Sequence, residues 1–175
     1  MRITGGEFRS RKLESLPGTD VRPTSDKMRQ TLFNILQGEV EGSVFVDAYA
    51  GTGAVGIEAL SRGARHVVFI EKNRVAANLI RSNLAALKAE ARARVIHGPA
   101  ALYLGGLGAD IVFIDPPYPQ EREYRAALDA LEPRPPALTI VQHSVRFALE
   151  DEQGPLRRTR TVKQGENVLS FFHLL

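Results

Sequence analysis

The sequence predicts an α/β fold, a mostly parallel sheet with helices on both faces that ends in an antiparallel pair. Three observations carry that prediction. From residue 44 onward, short apolar runs alternate with stretches of helical periodicity, the order produced when crossover helices join parallel strands. The turn after the first run holds Gly51, Gly53 and Gly56, a glycine-rich strand-to-helix connection. The last two runs are separated only by Gln164-Gly165-Glu166-Asn167, which makes a hairpin turn and not a crossover.

Taken in order, residues 2–13 alternate loosely around Gly5-Gly6, with Ile3, Phe8 and Leu13 as the apolar members. This predicts a small β-hairpin bearing Arg2, Arg9, Arg11 and Lys12. After a Pro17-Gly18 turn, Thr24 or Ser25 caps a helix whose Met28, Leu32, Phe33, Ile35 and Leu36 recur at helical spacing. Gly38 lies just past its end, and Lys27, Arg29 and Gln30 are expected on its other faces. Strands follow at 44–46, 67–70, 94–96, 111–114 and 137–141. Helices fall at 54–62 (closed by Gly63), at 74–87 (capped by Asn73) and at 121–131. The final strands are 157–163 and 168–174. Residues 1–40 are expected to form a basic hairpin-and-helix extension packed on a core of residues 41–175.

The length of 175 residues and 43% hydrophobic content suit one domain with a substantial core. A net charge of +3 permits a polyanionic partner without requiring one. There is no cysteine, which excludes disulfides, thiolate metal sites and cysteine nucleophiles. His66, His97, His143 and His173 show no ligand spacing, so no metal is expected. The first residues lack an apolar leader and no segment is long enough to span a bilayer, so the expectation is a soluble, cytoplasmic protein with no membrane partner.

The turn Asp47-Ala48-Tyr49-Ala50-Gly51-Thr52-Gly53-Ala54-Val55-Gly56 fits the nucleotide-binding pattern of three spaced glycines between strand and helix. Such a turn allows close ligand approach, and the helix N-terminus favours an anionic group. Glu71 closes the next strand roughly 20 residues on, where an acid binds ribose hydroxyls. Both NAD and S-adenosylmethionine would suit this arrangement; for the latter, Asp47 is a candidate partner of the methionine amine. Tyr49 either lines the cofactor site or packs.

Ile114-Asp115-Pro116-Pro117-Tyr118 ends an apolar strand and selects between the two. The prolines hold the loop open and out of helical geometry. Asp115 and the Pro116 carbonyl are two acceptors, and Tyr118 is a stacking face, together a pocket for an amine on a planar ring. Hydride transfer needs an acid/base group beside a carbonyl or alcohol, and no obvious one is present. Methyl transfer from S-adenosylmethionine is therefore the reading. The acceptors would hold the amine hydrogens out of plane and free the nitrogen lone pair, with the base taken out of its stack. Asp in place of Asn favours guanine, whose N1–H and N2–H are adjacent donors, although the loop is compatible with adenine and cytosine amines too.

Residues 2–13, the run from Arg22-Pro23-Thr24-Ser25-Asp26 to Leu36, the segment from Tyr49 to Ala64, and Asp115-Pro116-Pro117-Tyr118 together resemble the RsmD family. The resemblance covers most of residues 2–120. It implies a Rossmann-like, seven-stranded S-adenosylmethionine-dependent methyltransferase sheet with the last strand antiparallel. It also implies methylation of a guanine N2 in small-subunit rRNA, the family target being guanine 966 of 16S rRNA, within an assembled or assembling 30S subunit. No protein partner is predicted. One departure stands out. His97-Gly98-Pro99-Ala100-Ala101-Leu102 has no carboxylate where methyltransferases often contact the adenine, so backbone amides and apolar packing are expected there.

Arg2, Arg9, Arg11, Lys12, Arg22, Lys27 and Arg29 crowd the region before the core and are read as an RNA-docking platform. Arg157, Arg158, Arg160 and Lys163 are read instead as ordinary edge-strand charges. The rival functions are another amino-methyltransferase, acting on DNA adenine or a protein glutamine, a non-catalytic ribosome-assembly RNA binder, and an NAD oxidoreductase.

Overall fold

A computed structural model describes residues 1–17, 24–117 and 121–175. Its elements run α1 (Asp26–Ile35), β1 (Val44–Asp47), α2 (Ala54–Ser61), β2 (His66–Glu71), α3 (Arg74–Ala86), β3 (Ala93–His97) and α4 (Ala100–Tyr103). They continue with β4 (Ile111–Ile114), α5 (Glu121–Ala130), β5 (Leu138–Ser144), β6 (Glu152–Gln153), β7 (Leu156–Gln164) and β8 (Asn167–Leu174). One sheet takes the order β3-β2-β1-β4-β5-β8-β7-β6. The first five strands pair in parallel, and β8 is antiparallel to both β5 and β7. Among the described residues no helix is long and apolar enough to cross a membrane.

The α/β class and the closing antiparallel strand agree with the sequence, but the strand count does not. The sheet has eight strands where seven are predicted. The extra strand, β6, is a two-residue segment paired through Glu152↔Arg157 and Gln153↔Leu156. Two polar residues carry no periodicity, so no sequence pattern announces it. The N-terminal hairpin is also corrected. It is reduced to one antiparallel bridge, Arg2↔Lys12. Across its two limbs Ile3 N–H donates to the Arg11 carbonyl at 3.0 Å, Ser10 N–H to the Ile3 carbonyl at 2.8 Å and Leu13 N–H to the Met1 carbonyl at 2.9 Å. The residues between turn to α2, Glu7 N–H donating to the Ser61 carbonyl at 2.8 Å and Phe8 N–H to Ser61 Oγ at 2.9 Å.

Strand alternation divides the core between two faces. Phe45, Phe113, Leu138 and Ile140 join a cluster with α1, α2 and α3, to which Ile3, Phe8 and Leu13 of the N-terminal loop also belong. Val46, Val112, Ile114 and Val141 join the other, with Leu104, Ala127 and Leu128. Successive side chains of a strand point to opposite faces, and both faces here are covered, which is why the strands read as continuous apolar runs.

Helix α1 starts where expected: Ser25 Oγ accepts the Met28 N–H at 3.1 Å. Its Arg29, however, is fully buried, against the expectation that it would lie off the apolar face. Arg29 precedes Phe33 and Leu36 by four and seven positions, so helical geometry places it on their stripe. The buried charge is met by Glu58 of α2, with Arg29 Nε at 3.0 Å from Oε1. Glu58 also accepts Thr4 N–H at 2.9 Å, Gly5 N–H at 3.0 Å and Arg62 Nε at 2.9 Å. Arg29 Nη2 in turn donates to the Arg2 carbonyl and, at 3.1 Å, to Asp26. This network ties the N-terminal loop, α1 and α2 into one body.

Candidate active site

The ends of β1, β2 and β4 meet at one edge of the sheet, where α2 and α3 begin. Gly53 caps α2 at φ 84°, a left-handed conformation that glycine adopts without strain. A Cβ there would approach Ile80 Cγ1 to 3.1 Å, and a Cβ on Gly56 would run into the Phe69 ring. The two glycines thus serve different needs, the turn at Gly53 and close helix-to-strand packing at Gly56. Gly51 shares the left-handed region at φ 56°.

Three carboxyl groups face this edge. Asp47 is buried, and its Oδ2 accepts the Gly56 N–H at 2.9 Å. Burial pushes its carboxyl up to about 7; the Gly56 bond works against that rise, while the charges of Asp115 and Glu71 add to it. Glu71 is half-buried and straddles the turn, accepting Gly51 N–H at 3.3 Å and Asn73 N–H at 3.4 Å. Burial raises its pKa as well. Asp115 follows β4, and loss of water pushes it up to about 7, opposed by a hydrogen bond from Thr24. Pro116 is buried, Pro117 is exposed, and no hydrogen bond to the Pro116 carbonyl forms among the described residues. Tyr118 lies outside the described residues.

Tyr49 reaches across to α5, its phenol donating to Glu123 Oε2 at 3.0 Å. Burial, and then that bond, push its pKa upward. Of the two roles open to it, the phenol therefore has a packing partner, and its ring flanks the glycine turn.

A family model described as Conserved hypothetical protein 95 matches residues 1–173. The chain belongs to the RsmD family. Ribosomal RNA small subunit methyltransferase D of Escherichia coli K12 is 42% identical over 120 residues, 67% of this chain and 60% of that protein. A Bacillus subtilis protein named as a candidate rRNA methyltransferase, YlbH, is 31% identical over 177 residues, 94% of each chain. The solved structure of the Escherichia coli candidate methyltransferase yhhF superposes with a TM-score of 0.88 at 32% identity, covering 99% of this chain and 97% of that one. A Pyrococcus horikoshii candidate RNA methyltransferase, PH1948, shares the fold alone, with a TM-score of 0.75 at 20% identity and coverage of 94% and 92%. The fold of this RsmD-family chain is thus that of methyltransferases, which implies a methyl donor.

The basic residues of the family's N-terminal signature are not gathered in one place. Arg2, Arg9, Arg11, Lys12 and Lys27 are exposed. The loop bearing the first four sits against the last residues of α2 and α3, where Arg11 Nη2 donates to the Ala86 carbonyl at 3.2 Å. Because α3 has 13 residues, at about 1.5 Å each that loop lies some ~20 Å along the helix from the carboxyl groups. Arg29 is corrected: fully buried and paired with Glu58, it has no surface to offer RNA. Arg22 lies outside the described residues.

Sequence reasoning passed over three residues at this edge. Thr24, weighed only as a cap, is buried and donates to Asp115 Oδ2 at 3.4 Å. Tyr124 of α5 donates to the Gln142 carbonyl at 2.8 Å and stacks on Phe147, with ring centroids 4.7 Å apart. Its phenol is pushed up by burial and by the charge of Asp115. Gln142, one residue past the predicted end of its strand, is buried with Oε1 unpartnered among the described residues. A polar residue closing an apolar strand was the available signal.

Glu71→Ala is expected to weaken S-adenosylhomocysteine binding about tenfold, the order of one hydrogen bond to a charged acceptor. Isothermal titration calorimetry measures this, and an unchanged affinity would remove Glu71 from the ribose site.

Proposed function

We propose that this chain transfers a methyl group from S-adenosylmethionine to the exocyclic N2 of a guanine in small-subunit rRNA, within an assembled or assembling 30S subunit. The observation that carries the reading is the convergence of Asp115, the first residue past β4, with a glycine turn flanked by Asp47 and Glu71. The family's named members support rRNA as substrate.

The residues fit the cofactor. The glycine turn takes left-handed φ values at Gly51 and Gly53 that suit close ligand approach, and Glu71 supplies carboxylate oxygens for ribose hydroxyls. Asp47 keeps Oδ1 for an ammonium, since only Oδ2 holds the Gly56 N–H. When bound, S-adenosylmethionine supplies an electrophilic methyl on a sulfonium. The rest falls to this chain. Asp115 and the Pro116 carbonyl accept the two amine hydrogens and draw them from the plane of the base, which localises the lone pair and stabilises charge growing on nitrogen. Tyr118 supplies the stacking face that fixes the ring. An Asp115 carboxyl near 7 can take the departing amine proton and return it to water.

Docking is assigned to Arg2, Arg9, Arg11, Lys12, Arg22 and Lys27, a set that reaches beyond the accepting nucleotide. Neutralising Arg9, Arg11 and Lys12 together is expected to flatten the salt dependence of RNA binding by about 0.7–0.9 logarithmic units per lost phosphate contact. Filter binding across a salt series checks this, and an unchanged slope would return the three to an ordinary solvated surface.

The deciding experiment supplies methyl-labelled S-adenosylmethionine with unmodified small subunits, naked rRNA, DNA and protein, followed by nucleoside analysis. Label in N2-methylguanosine is the expected result. Label in adenine or protein keeps methyl transfer and discards guanine, and no label in any substrate favours an assembly factor.

A further inference from the structure

Thr24 is the point at which the N-terminal extension touches the reacting edge. It stands two residues before α1, is 8% exposed, and its hydroxyl lies 3.4 Å from Asp115 Oδ2, across 91 positions of sequence. The neighbouring residue, Ser25, is spent on the helix, its Oγ accepting the Met28 N–H. The Thr24 hydroxyl is left to donate outward from the start of α1. That start is held firmly. Asp26 and Arg29 pair in its first turn, and Arg29 is anchored to buried Glu58.

We infer that Thr24 is a positioning residue for methyl transfer, holding one oxygen of Asp115 so that the other faces the substrate amine. This rests on the proposed function only in taking Asp115 as the amine acceptor; it does not depend on which base bears the amine. A carboxylate on a free χ2 presents either oxygen over a broad range of angles. A hydroxyl donor on Oδ2 narrows that range and favours the ionised form that accepts an amine hydrogen. The N-terminal extension is then part of the active site as well as a docking surface.

Among the described residues, three groups face Asp115 from the elements around it. Asp47 on β1 and Tyr124 on α5 couple to it electrostatically, and Thr24 contributes the hydrogen bond. Of these, Thr24 alone lowers the proton affinity of Asp115. Removing its hydroxyl should therefore raise the pH at which the carboxylate forms.

The test compares Thr24→Val, which keeps shape and loses the hydroxyl, with Thr24→Ser, which keeps the hydroxyl. In Thr24→Val the midpoint of the pH–kcat/KM profile is expected to rise by about half to one unit. On the acidic side, transfer is then expected to fall roughly three- to tenfold. KM for RNA and the affinity for S-adenosylhomocysteine should stay within about twofold, and Thr24→Ser should bring the midpoint back. A ¹³C titration of the Asp115 carboxyl, assigned by its loss in Asp115→Asn, reads the same shift without any transfer; Thr24→Ala replaces the valine variant there if that variant does not fold. A midpoint unmoved in both measurements, or a rise in KM for RNA with no movement of the midpoint, would overturn the inference. Label appearing in a base other than guanine while the Thr24 shift persists would discard the guanine reading and leave this one standing.

Discussion

Asp115→Ala is expected to abolish detectable methyl transfer, a loss of at least about a thousandfold, while S-adenosylhomocysteine affinity changes by less than about threefold. The size follows from what Asp115 would do at the transition state. Its charge opposes positive charge growing on the amine nitrogen in a site short of water, where removing a single aligned acceptor costs several kcal/mol. Asp115 sits after β4, outside the glycine turn, so the cofactor loses no direct partner. Single-turnover transfer and calorimetry on the same preparation separate the two effects. Equal loss of transfer and affinity would refute the assigned role.

The pH dependence has a definite sign. Burial raises Asp115 to about 7, so below that value its carboxyl is protonated and cannot accept the amine hydrogen. The rate constant kcat/KM should rise with pH, pass half its maximum near 7, and then level off. A profile flat from pH 5.5 to 8.5 would mean that the carboxylate is not the active form.

The second large effect is structural. Glu58→Ala should destabilise the fold by roughly 3–5 kcal/mol, because it strips the counter-charge from buried Arg29 and orphans the Thr4 and Gly5 N–H groups. Arg29→Met should cost less. It leaves Glu58 still paired with Arg62 at 2.9 Å and places an apolar chain on a stripe already occupied by Phe33 and Leu36. Urea denaturation orders the two variants, and limited proteolysis reports whether the loop of residues 2–13 comes away first. A Glu58→Ala loss below about 1 kcal/mol would show that the network holds nothing together.

Arg29 also shows how far the sequence could be read. Its spacing from Phe33 and Leu36 already placed it on the buried stripe, but its charge suggested a surface, and only Glu58, 29 positions away, resolves that conflict. β6 is invisible for the opposite reason, since two polar residues have no period to detect. The N-terminal segment closes through three cross-limb backbone bonds and the Arg2↔Lys12 bridge, while Glu7 and Phe8 between the limbs donate to Ser61 of α2, a partner that no local pattern announces. The Glu123 partner of the Tyr49 phenol, 74 positions away, has no local signal either.

The sequence by itself determined the α/β class, the order of the strands and helices other than the four-residue α4 and the two-residue β6, the glycine turn between β1 and α2, and the Asp-Pro-Pro edge after β4. Each of these rests on periodicity or turn chemistry within a dozen neighbouring residues, and such local preferences survive without knowledge of the rest of the chain. The tertiary structure alone decided that Arg29 is buried, that β8 lies between β5 and β7, and that Thr24 meets Asp115. These depend on which distant surfaces come together. Burial and the pairing of polar groups are set by the neighbour across the interface, and no local pattern in the chain records it.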